Sequence, residues 1–350
     1  MMLHHVFRRI ACAALSAALL AGSPAVSAVT LYAAGTESVS AAEAAVGESA
    51  HKIAYRFASK EEGQQLLLSN DQYIGNFTQG DLDFRLQKKG GTVEEWKTIA
   101  EKAVMDWTKE EEAALSAGME TLFLNCEENG YVLPASEEIV FVKTDMTEEG
   151  GAEGYTHGTQ IYLNRDVPLQ LIPDDENPDK YLQGLTVLAH ELFHCLTRPN
   201  PDFRADMYEI IHFTVHDEEY EFAPEVRERM INNPDVEHHN SSAVFRINGE
   251  DVPCTVVFYA SRPFEEEGDS FFDLGRSGLV PADSPDKIYD SEEAENFFDV
   301  FGKNTDYVID PEETMADNFS YVLVYGADGM EYKTPEIPEA IISYLKGETP

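Results

Sequence analysis

The stretch LQGLTVLAHELFHCL, residues 182–196, decides how the rest of the sequence is interpreted. Drawn as a helix, it is apolar on nearly all sides, and such a helix belongs in the interior of a protein. Two histidines and one glutamate interrupt the apolar surface: His190, Glu191 and His194. Burying them would be costly unless a bound group satisfied them. The stretch therefore predicts a buried helix that carries a polar site.

His190 and His194 are four residues apart, so on a helix they lie on one face, one turn apart. Two imidazoles at that separation can bind the same zinc ion. Glu191 projects from the adjacent flank, where its carboxylate can reach a water molecule without binding the metal. The pattern predicts His190 and His194 as zinc ligands and Glu191 as the catalytic general base. A structural pair of helix-face histidines is the alternative.

A catalytic zinc site needs three protein ligands and one open position. Glu313 is the best third candidate, because it lies in the first turn of a helix that Asp310-Pro311 should begin. Asp317 is one turn further along the same face and could accept a hydrogen bond from a ligand histidine. Glu312 is the neighbouring competitor, but position 316 is an alanine and gives it no acidic partner one turn on.

Other third ligands remain open. Acids in a first helical turn often only complement the helix dipole, so Glu312 and Glu313 have a simpler interpretation as well. Asp202 and Glu209 lie close in sequence but belong to no recognisable ligand pattern. His212 and His216 could bind a metal if helical, but they are more readily interpreted as core or surface histidines. The stretch 210–215 is compatible with a strand as well as with a helix, and a His-x-x-x-His pair needs a helix.

The remaining chain contains signals for both helices and strands. Helical spacing covers Val93 to Asp106, and a second helix should begin at a capping box of Thr108 and Glu111 and end near Gly130. Predicted strands are Ile139 to Val142, Thr159 to Leu163, and a hairpin of Ala243 to Ile247 and Val252 to Ala260 around Asn248-Gly249. Residues 262–306 should be mostly loop, followed by helices from Asp310-Pro311 to Tyr325 and from Pro338 to Lys346.

Composition limits the classes of protein to consider. The 350 residues are 43% hydrophobic and 11% aromatic, which is typical of a globular chain. A formal net charge of −40 argues against nucleic acid and anionic lipid as partners. Cys126, Cys195 and Cys254 are widely spaced and odd in number, so we expect core packing rather than a disulfide framework.

The N-terminus has the three parts of a secretory signal peptide. Arg8 and Arg9 are followed by an apolar stretch from Ile10 to Ala21 and by Val26-Ser27-Ala28, a small-residue cleavage site. The apolar stretch is too short for a membrane span, and no later segment is apolar enough. We therefore expect cleavage after residue 28, an exported protein that is secreted or periplasmic, and no membrane span.

His190-Glu191-x-x-His194 followed by Glu313-x-x-x-Asp317 resembles the gluzincins, the thermolysin-like zinc metallopeptidases. In that family the first motif supplies two zinc ligands and the general base. The later glutamate is the third ligand, and the aspartate orients a ligand histidine. The likeness covers these two short segments and the general order of strands before the zinc helix. It implies an α+β, zincin-like metallopeptidase domain with a small mixed sheet, a central zinc-binding helix and a long inserted region.

One departure concerns spacing. Glu313 follows His194 by 119 positions, much further than in thermolysin-like enzymes. The resemblance therefore implies an insertion of about 199–306 over or beside the cleft, within a catalytic domain of 91–350 that follows a flexible or helical region, 29–90. It also suggests where an oxyanion-stabilising group could lie, without selecting one: Tyr155, His157, His238 or His239.

The resulting hypothesis is an exported, zinc-dependent peptidase that acts on a peptide or protein substrate. Zn²⁺ is the cofactor, and Glu191 is the general base for a zinc-activated water. An exported non-catalytic zinc-binding or scaffold protein is the alternative. A closed structural zinc site would have no use for Glu191, which favours the enzyme.

Overall fold

A computed structural model describes residues 53–174 and 176–348. The chain is mixed α/β, with helices and two five-stranded sheets. The predicted signal peptide, residues 1–28, and the first part of the predicted N-terminal region, 29–52, lie outside the described residues. Within the described part of the chain, no helix is both long and apolar enough to cross a membrane.

The elements are numbered in chain order. The strands are β1 (Tyr55–Phe57), β2 (Val104–Met105), β3 (Ile139–Thr144), β4 (Gly154–His157), β5 (Gln160–Asn164), β6 (Thr214–Val215), β7 (Ser241–Ile247), β8 (Glu250–Ala260), β9 (Gly275–Pro281) and β10 (Tyr289–Asp290). The helices are α1 (Lys60–Leu68), α2 (Asp71–Gly75), α3 (Gln79–Leu86), α4 (Val93–Ala103), α5 (Lys109–Asn129), α6 (Val167–Gln170), α7 (Pro178–Thr197), α8 (Pro201–Ile210), α9 (Pro224–Arg227), α10 (Phe271–Leu274), α11 (Phe297–Phe301), α12 (Pro311–Tyr325) and α13 (Glu336–Leu345).

The first sheet has the order β1-β3-β5-β4, and β2 pairs with the C-terminal end of β3. Strand β3 is parallel to β1 and β5, and all of its residues are buried. Strand β4 is antiparallel to β5 and forms an edge. The predicted strands at 139–142 and 159–163 are confirmed as β3 and β5, whereas β1, β2 and β4 were not predicted. The helix predicted from Val93 to Asp106 ends at Ala103, because Val104 and Met105 pair with β3 as β2. Helices α1 to α3 agree with the predicted helical character of the N-terminal region.

Helix α5 shows how local sequence fixes an element. Thr108 and Glu111 form the predicted capping box: the Glu111 N–H donates to Thr108 Oγ1 at 3.2 Å, and the Thr108 N–H donates to Glu111 Oε2 at 2.8 Å. Gly130 ends the helix with a φ of 70°, a left-handed conformation that glycine adopts readily. Both predicted ends of this helix are therefore confirmed.

Helices α7 and α12 pack against each other in the largest apolar core. Both begin with proline at the first position, where the missing N–H costs no helical hydrogen bond. The Asp310 carboxylate caps α12 by accepting from the Glu312 N–H at 2.8 Å, and Gly326 ends it. The rings of Phe193 and Phe319 join the two helices with centroids 5.3 Å apart. The predicted span of α12 is confirmed.

The second sheet is antiparallel in the order β10-β9-β8-β7-β6. Asn248 and Gly249 turn the predicted hairpin with φ values of 54° and 79°, as a tight two-residue turn requires. The prediction that 262–306 is mostly loop is wrong for β9, which pairs with β8 along its length. Cys126, Cys195 and Cys254 are buried free thiols, in agreement with the expected core packing.

Candidate metal centre

Helix α7 brings His190 and His194 to one face, with ring centroids 4.9 Å apart. Leu188, Ala189, Leu192 and Phe193 fill the remaining faces and are fully buried. This apolar packing holds the helix in the core and leaves the two imidazoles facing α12. The pairing follows from their spacing of four residues.

The structure brings Glu313 to the two histidines. Glu313 Oε2 lies 3.0 Å from His190 Nε2 and 3.9 Å from His194 Nε2. One potential ligand atom from each of the three side chains lies within 4.8 Å of the others. Glu313 is fully buried on the first turn of α12. The three predicted ligands thus converge from two helices, and we call these three residues the metal-site cluster.

The outer ring nitrogens of both histidines are held by acids from α12. His190 Nδ1 lies 2.9 Å from Asp317 Oδ1, the partner that the sequence suggested. His194 Nδ1 lies 3.0 Å from Glu312 Oε1. Thr305 Oγ1 donates to the second oxygen of Asp317. Both Nε2 atoms therefore face inward, and carboxylates at Nδ1 fix the rings in that orientation.

Glu312 has a role that sequence reasoning missed. Its carboxylate accepts from Thr197 Oγ1 at 2.6 Å, Arg198 Nη1 at 3.0 Å and Tyr208 Oη at 2.6 Å. Burial opposes ionisation, but the hydrogen bond with His194 and the charge of Arg198 outweigh it and lower the pKa of Glu312 far below its usual value. Glu312 thus orients His194 instead of competing with Glu313. The only feature of the sequence that could have indicated this role is the position of Glu312 directly before Glu313.

Glu191 lies beside the cluster and is buried. Its Oε2 accepts a hydrogen bond from Thr156 Oγ1 on the edge strand β4 at 2.7 Å. A Cβ at Gly154 would lie 2.6 Å from Glu191 Oε1, so glycine at this position leaves room for the carboxylate. Burial raises the pKa of Glu191, although the charges of His190 and His194 oppose the rise.

A loop between α9 and β7 contributes two residues that the sequence did not indicate. Asn233 Nδ2 donates to Glu313 Oε1 at 2.5 Å. Asp235 Oδ1 accepts from the Thr156 N–H at 2.5 Å and lies 3.9 Å from His194 Nε2. Burial and the charge of Glu191 raise the pKa of Asp235 well above its usual value. No spacing or helical signal ties this loop to α7, so only the tertiary structure shows the contact.

These groups fit a small divalent cation. His194 Nε2 is buried and has no hydrogen-bond partner, although it points into the cluster. With ligand distances of about 2 Å, neighbouring ligand atoms of a tetrahedral zinc site lie about 3.3 Å apart. The separations of 3.0 Å and 3.9 Å from Glu313 to the two histidines bracket that value. A cation would also compensate the buried carboxylates of Glu191, Asp235 and Glu313.

A cavity of about 60 Å³ adjoins the cluster. Asp235, Gly154 and Tyr307 line it on the cluster side, and Phe258 and Phe271 line it further away. The Tyr307 ring centroid lies 6.2 Å from that of His190, so this ring lies beside the site. Burial and the charge of Glu313 raise the pKa of Tyr307 well above its usual value. The cavity has room for a few water molecules, and Gly154, which lines it, lies next to the Glu191 carboxylate.

The other candidate ligands lie elsewhere. Among the described residues, the possible metal-binding groups consist only of His190, His194 and Glu313, and of Glu191, His194 and Asp235. His216 Nε2 bonds Ser242 Oγ at 2.8 Å, and His212 follows the end of α8 with a positive φ. Asp202 and Glu209 belong to α8 and to neither group.

The four residues considered for oxyanion stabilisation make contacts away from the metal-site cluster. Tyr155 Oη donates to Glu148 Oε1 at 2.9 Å inside the first sheet's core. Burial lowers the pKa of His157 to about 3, so this imidazole is neutral. His238 Nδ1 pairs with Glu219 Oε1 at 2.6 Å on the surface, and the ring of His239 packs against Phe222. Tyr307 is the phenol that lies beside the cluster instead.

Comparison with known proteins gives no relative. No protein-family model matches the chain, and neither the curated proteins nor the solved structures provide a match.

Proposed function

We propose that this chain is an exported zinc-dependent peptidase of the gluzincin type. The observation that carries the proposal is the convergence of His190, His194 and Glu313, with the Nδ1 atom of each histidine bonded to a carboxylate of α12 and Glu191 alongside. Histidines with a purely structural role would have no need for Glu313, a further acid whose carboxylate faces the Nε2 atoms of both rings.

His190, His194 and Glu313 would hold the zinc ion. When bound, zinc supplies a Lewis acid for a peptide carbonyl and lowers the pKa of a water molecule. Asp317 and Glu312 hold the two rings in place through Nδ1, and they raise the basicity of the imidazoles. This arrangement gives the ion two neutral nitrogen donors and one carboxylate, a donor set found in catalytic zinc sites.

Glu191 is the proposed general base. Its carboxylate accepts the proton of a water molecule that attacks the carbonyl carbon, and then gives that proton to the departing amine nitrogen. Thr156 fixes one carboxylate oxygen, and Gly154 leaves space at the other. The raised pKa of Glu191 suits this double role, because a base of higher pKa holds the transferred proton more readily.

A zincin-like fold is part of the proposal. Three features support it: a mixed sheet with an antiparallel edge strand, a buried helix that carries both histidines, and a second helix that carries Glu313. Residues from 199–306, the proposed insertion, contribute Asn233 and Asp235 beside the site. The signal-peptide pattern at the N-terminus supports export.

One observation favours a second candidate, an exported non-catalytic zinc-binding protein. Asp235 stands as a fourth acidic or imidazole side chain beside His194, and structural zinc sites fill all four positions with protein ligands. In that case Glu191 would be a buried acid without a catalytic task. Glu191 lies against Gly154, which lines the cavity, and this placement favours the enzyme.

Glu191→Gln separates these candidates. We expect wild-type protein to bind one zinc ion by metal analysis and to cleave members of a peptide library. The variant should keep its zinc and lose at least about a hundredfold in kcat, because a general base contributes 10²–10⁴-fold. Glu110→Gln, on the exposed start of α5, is the matched control and should behave as wild type.

Two results would contradict the proposal. Zinc-loaded wild-type protein that cleaves no peptide in the library would favour the non-catalytic candidate. A Glu191→Gln variant that cleaves as fast as wild type would remove the general base from the mechanism.

A further inference from the structure

Strand β4 is the edge of the first sheet nearest the metal-site cluster. It pairs with β5 on one side, and no strand of the described chain pairs with the other. Free strand edges bind extended peptides through their N–H and C=O groups. Here, two outward N–H groups are already engaged: Thr156 donates to Asp235 Oδ1 at 2.5 Å and Gly158 donates to Glu237 Oε1 at 2.9 Å. Side-chain carboxylates thus replace the carbonyls of a partner strand.

These carboxylates belong to residues 233–237, which we name the covering segment. The segment is a turn, in which the Val236 N–H donates to the Asn233 carbonyl at 3.2 Å and the Asp235 N–H donates to Asn233 Oδ1 at 3.0 Å. Arg198, directly after the end of α7, holds the segment: its Nη2 donates to the Asp235 carbonyl at 2.5 Å, and its Nε lies 3.1 Å from Glu237 Oε1.

The covering segment also faces the cluster itself. Asn233 bonds the Glu313 carboxylate, and Asp235 lies between Thr156 and His194. Asp235 Oδ1 lies 3.9 Å from His194 Nε2, and together with Glu191 and His194 it forms the second group of possible metal ligands. The covering segment thus brings an acidic side chain of the chain itself to one of the predicted zinc ligands.

We propose that the covering segment is an internal plug, which holds the site closed until it leaves the edge of β4. This inference rests on the proposed function, whose metal site it regulates. With the segment in place, the Asp235 carboxylate competes with water or a substrate carbonyl for a metal beside His194, and the N–H groups of Thr156 and Gly158 are unavailable to a peptide. When it withdraws, both the metal position and the strand edge become accessible together.

Binding of a small metal ligand tests the plug without requiring catalysis. Zinc-replete full-length protein is titrated with acetohydroxamate by calorimetry, as wild type, Asp235→Ala and Asp235→Asn. We expect Asp235→Ala to bind the probe at least tenfold more tightly than wild type, and Asp235→Asn to be intermediate. Glu225→Ala removes one exposed acid near the same loop and should match wild type. Asp235→Asn retains an oxygen for the Thr156 N–H and covers the case in which the alanine variant fails to fold.

Equal probe affinity in wild type and both variants would overturn the plug. Loss of zinc from Asp235→Ala would also overturn it, because Asp235 would then be a required ligand of a closed site. Peptide hydrolysis, followed in parallel, separates the two proposals. Tighter probe binding without hydrolysis supports the plug and contradicts the peptidase, whereas hydrolysis with unchanged probe affinity does the reverse.

Amide hydrogen exchange provides a readout that is independent of zinc. In wild type the amides of Thr156 and Gly158 are hydrogen-bonded to the covering segment. We expect Glu237→Ala to speed exchange at Gly158 and Asp235→Ala to speed it at Thr156, each at least tenfold. Unchanged exchange at both amides would mean that the segment does not protect the edge of β4.

Discussion

Glu312→Gln probes the carboxylate that joins folding to metal binding. Glu312 pairs with Arg198 at 3.0 Å, and their side chains are only 2% and 9% exposed. Breaking a buried ion pair by removing one partner costs about 3–5 kcal/mol, and glutamine retains one acceptor oxygen for Tyr208 or Thr197. We therefore expect the apoprotein to lose about 3 kcal/mol of unfolding free energy, measured by urea denaturation.

The same variant should weaken zinc binding. Glu312 fixes the Nδ1 of His194, and removal of such a partner typically costs 10- to 100-fold in metal affinity. That loss corresponds to about 1.4–2.7 kcal/mol, which competition with a chromophoric chelator can resolve. Zinc-loaded variant protein should therefore fall further below wild type in stability than the apoprotein does.

Asp317→Asn is the matched comparison. Asp317 holds His190 in the same way at 2.9 Å, but its side chain is 15% exposed, and no arginine or lysine of the described residues forms an ion pair with it. It should lose a similar factor in zinc affinity and much less stability in the apoprotein. The reasoning is refuted if Glu312→Gln unfolds at the same urea concentration as wild type, or if its zinc affinity is unchanged.

Two further variants test buried positions around the site. Burial raises the pKa of Glu148 to about 7. The folded chain therefore binds the Glu148 proton more tightly than the unfolded chain does. The stability that this proton contributes is present at low pH and is lost as the pH rises from 4.5 through 7. Glu148→Gln should remove this loss of stability, which is worth roughly 3 kcal/mol. We expect the variant to have a higher Tm than wild type at pH 8 and nearly the same Tm at pH 4. Equal Tm values of variant and wild type at pH 8 would contradict the assignment. Gly154→Ala places a Cβ 2.6 Å from Glu191 Oε1 and should lower kcat at least tenfold with zinc content unchanged, measured by peptide cleavage and metal analysis. Full activity would show that the Glu191 carboxylate has other room to move.

The elements that the sequence predicted carry their own start and stop signals. Helix α5 lies between a Thr108–Glu111 capping box and Gly130, and α12 between Asp310-Pro311 and Gly326. Such signals act within a few residues, so they can be recognised without the rest of the fold. The hairpin at Asn248-Gly249 was predictable for the same reason.

The elements that the sequence did not predict depend on distant partners. Strand β9, Gly-Arg-Ser-Gly-Leu-Val-Pro, has two glycines and a mixed pattern, and β8 supplies the pairing that makes it a strand. Strand β4 has only four residues, too few for a clear alternation. Burial of both strands is a tertiary property.

The candidate site divides in the same way. His190, Glu191 and His194 share one helical turn, and Glu313 with Asp317 shares another, so their spacing was informative. Asn233 and Asp235 reach the cluster from a turn whose sequence contains only ordinary turn residues. The sequence around Glu312 shows only its helical neighbours, whereas its partners Arg198 and Tyr208 come from other parts of the chain.

The cluster also has a topological consequence. It joins α7 to α12, two helices between which the chain forms the whole of the second sheet. An ion bound to His194 and Glu313 would act as a staple across a loop of 119 positions. In the chain-entropy model, closing a loop of that length lowers the conformational entropy of the unfolded chain and thereby stabilises the folded chain by about 5 kcal/mol. Metal uptake during maturation would thus stabilise a sheet that contributes no predicted zinc ligand.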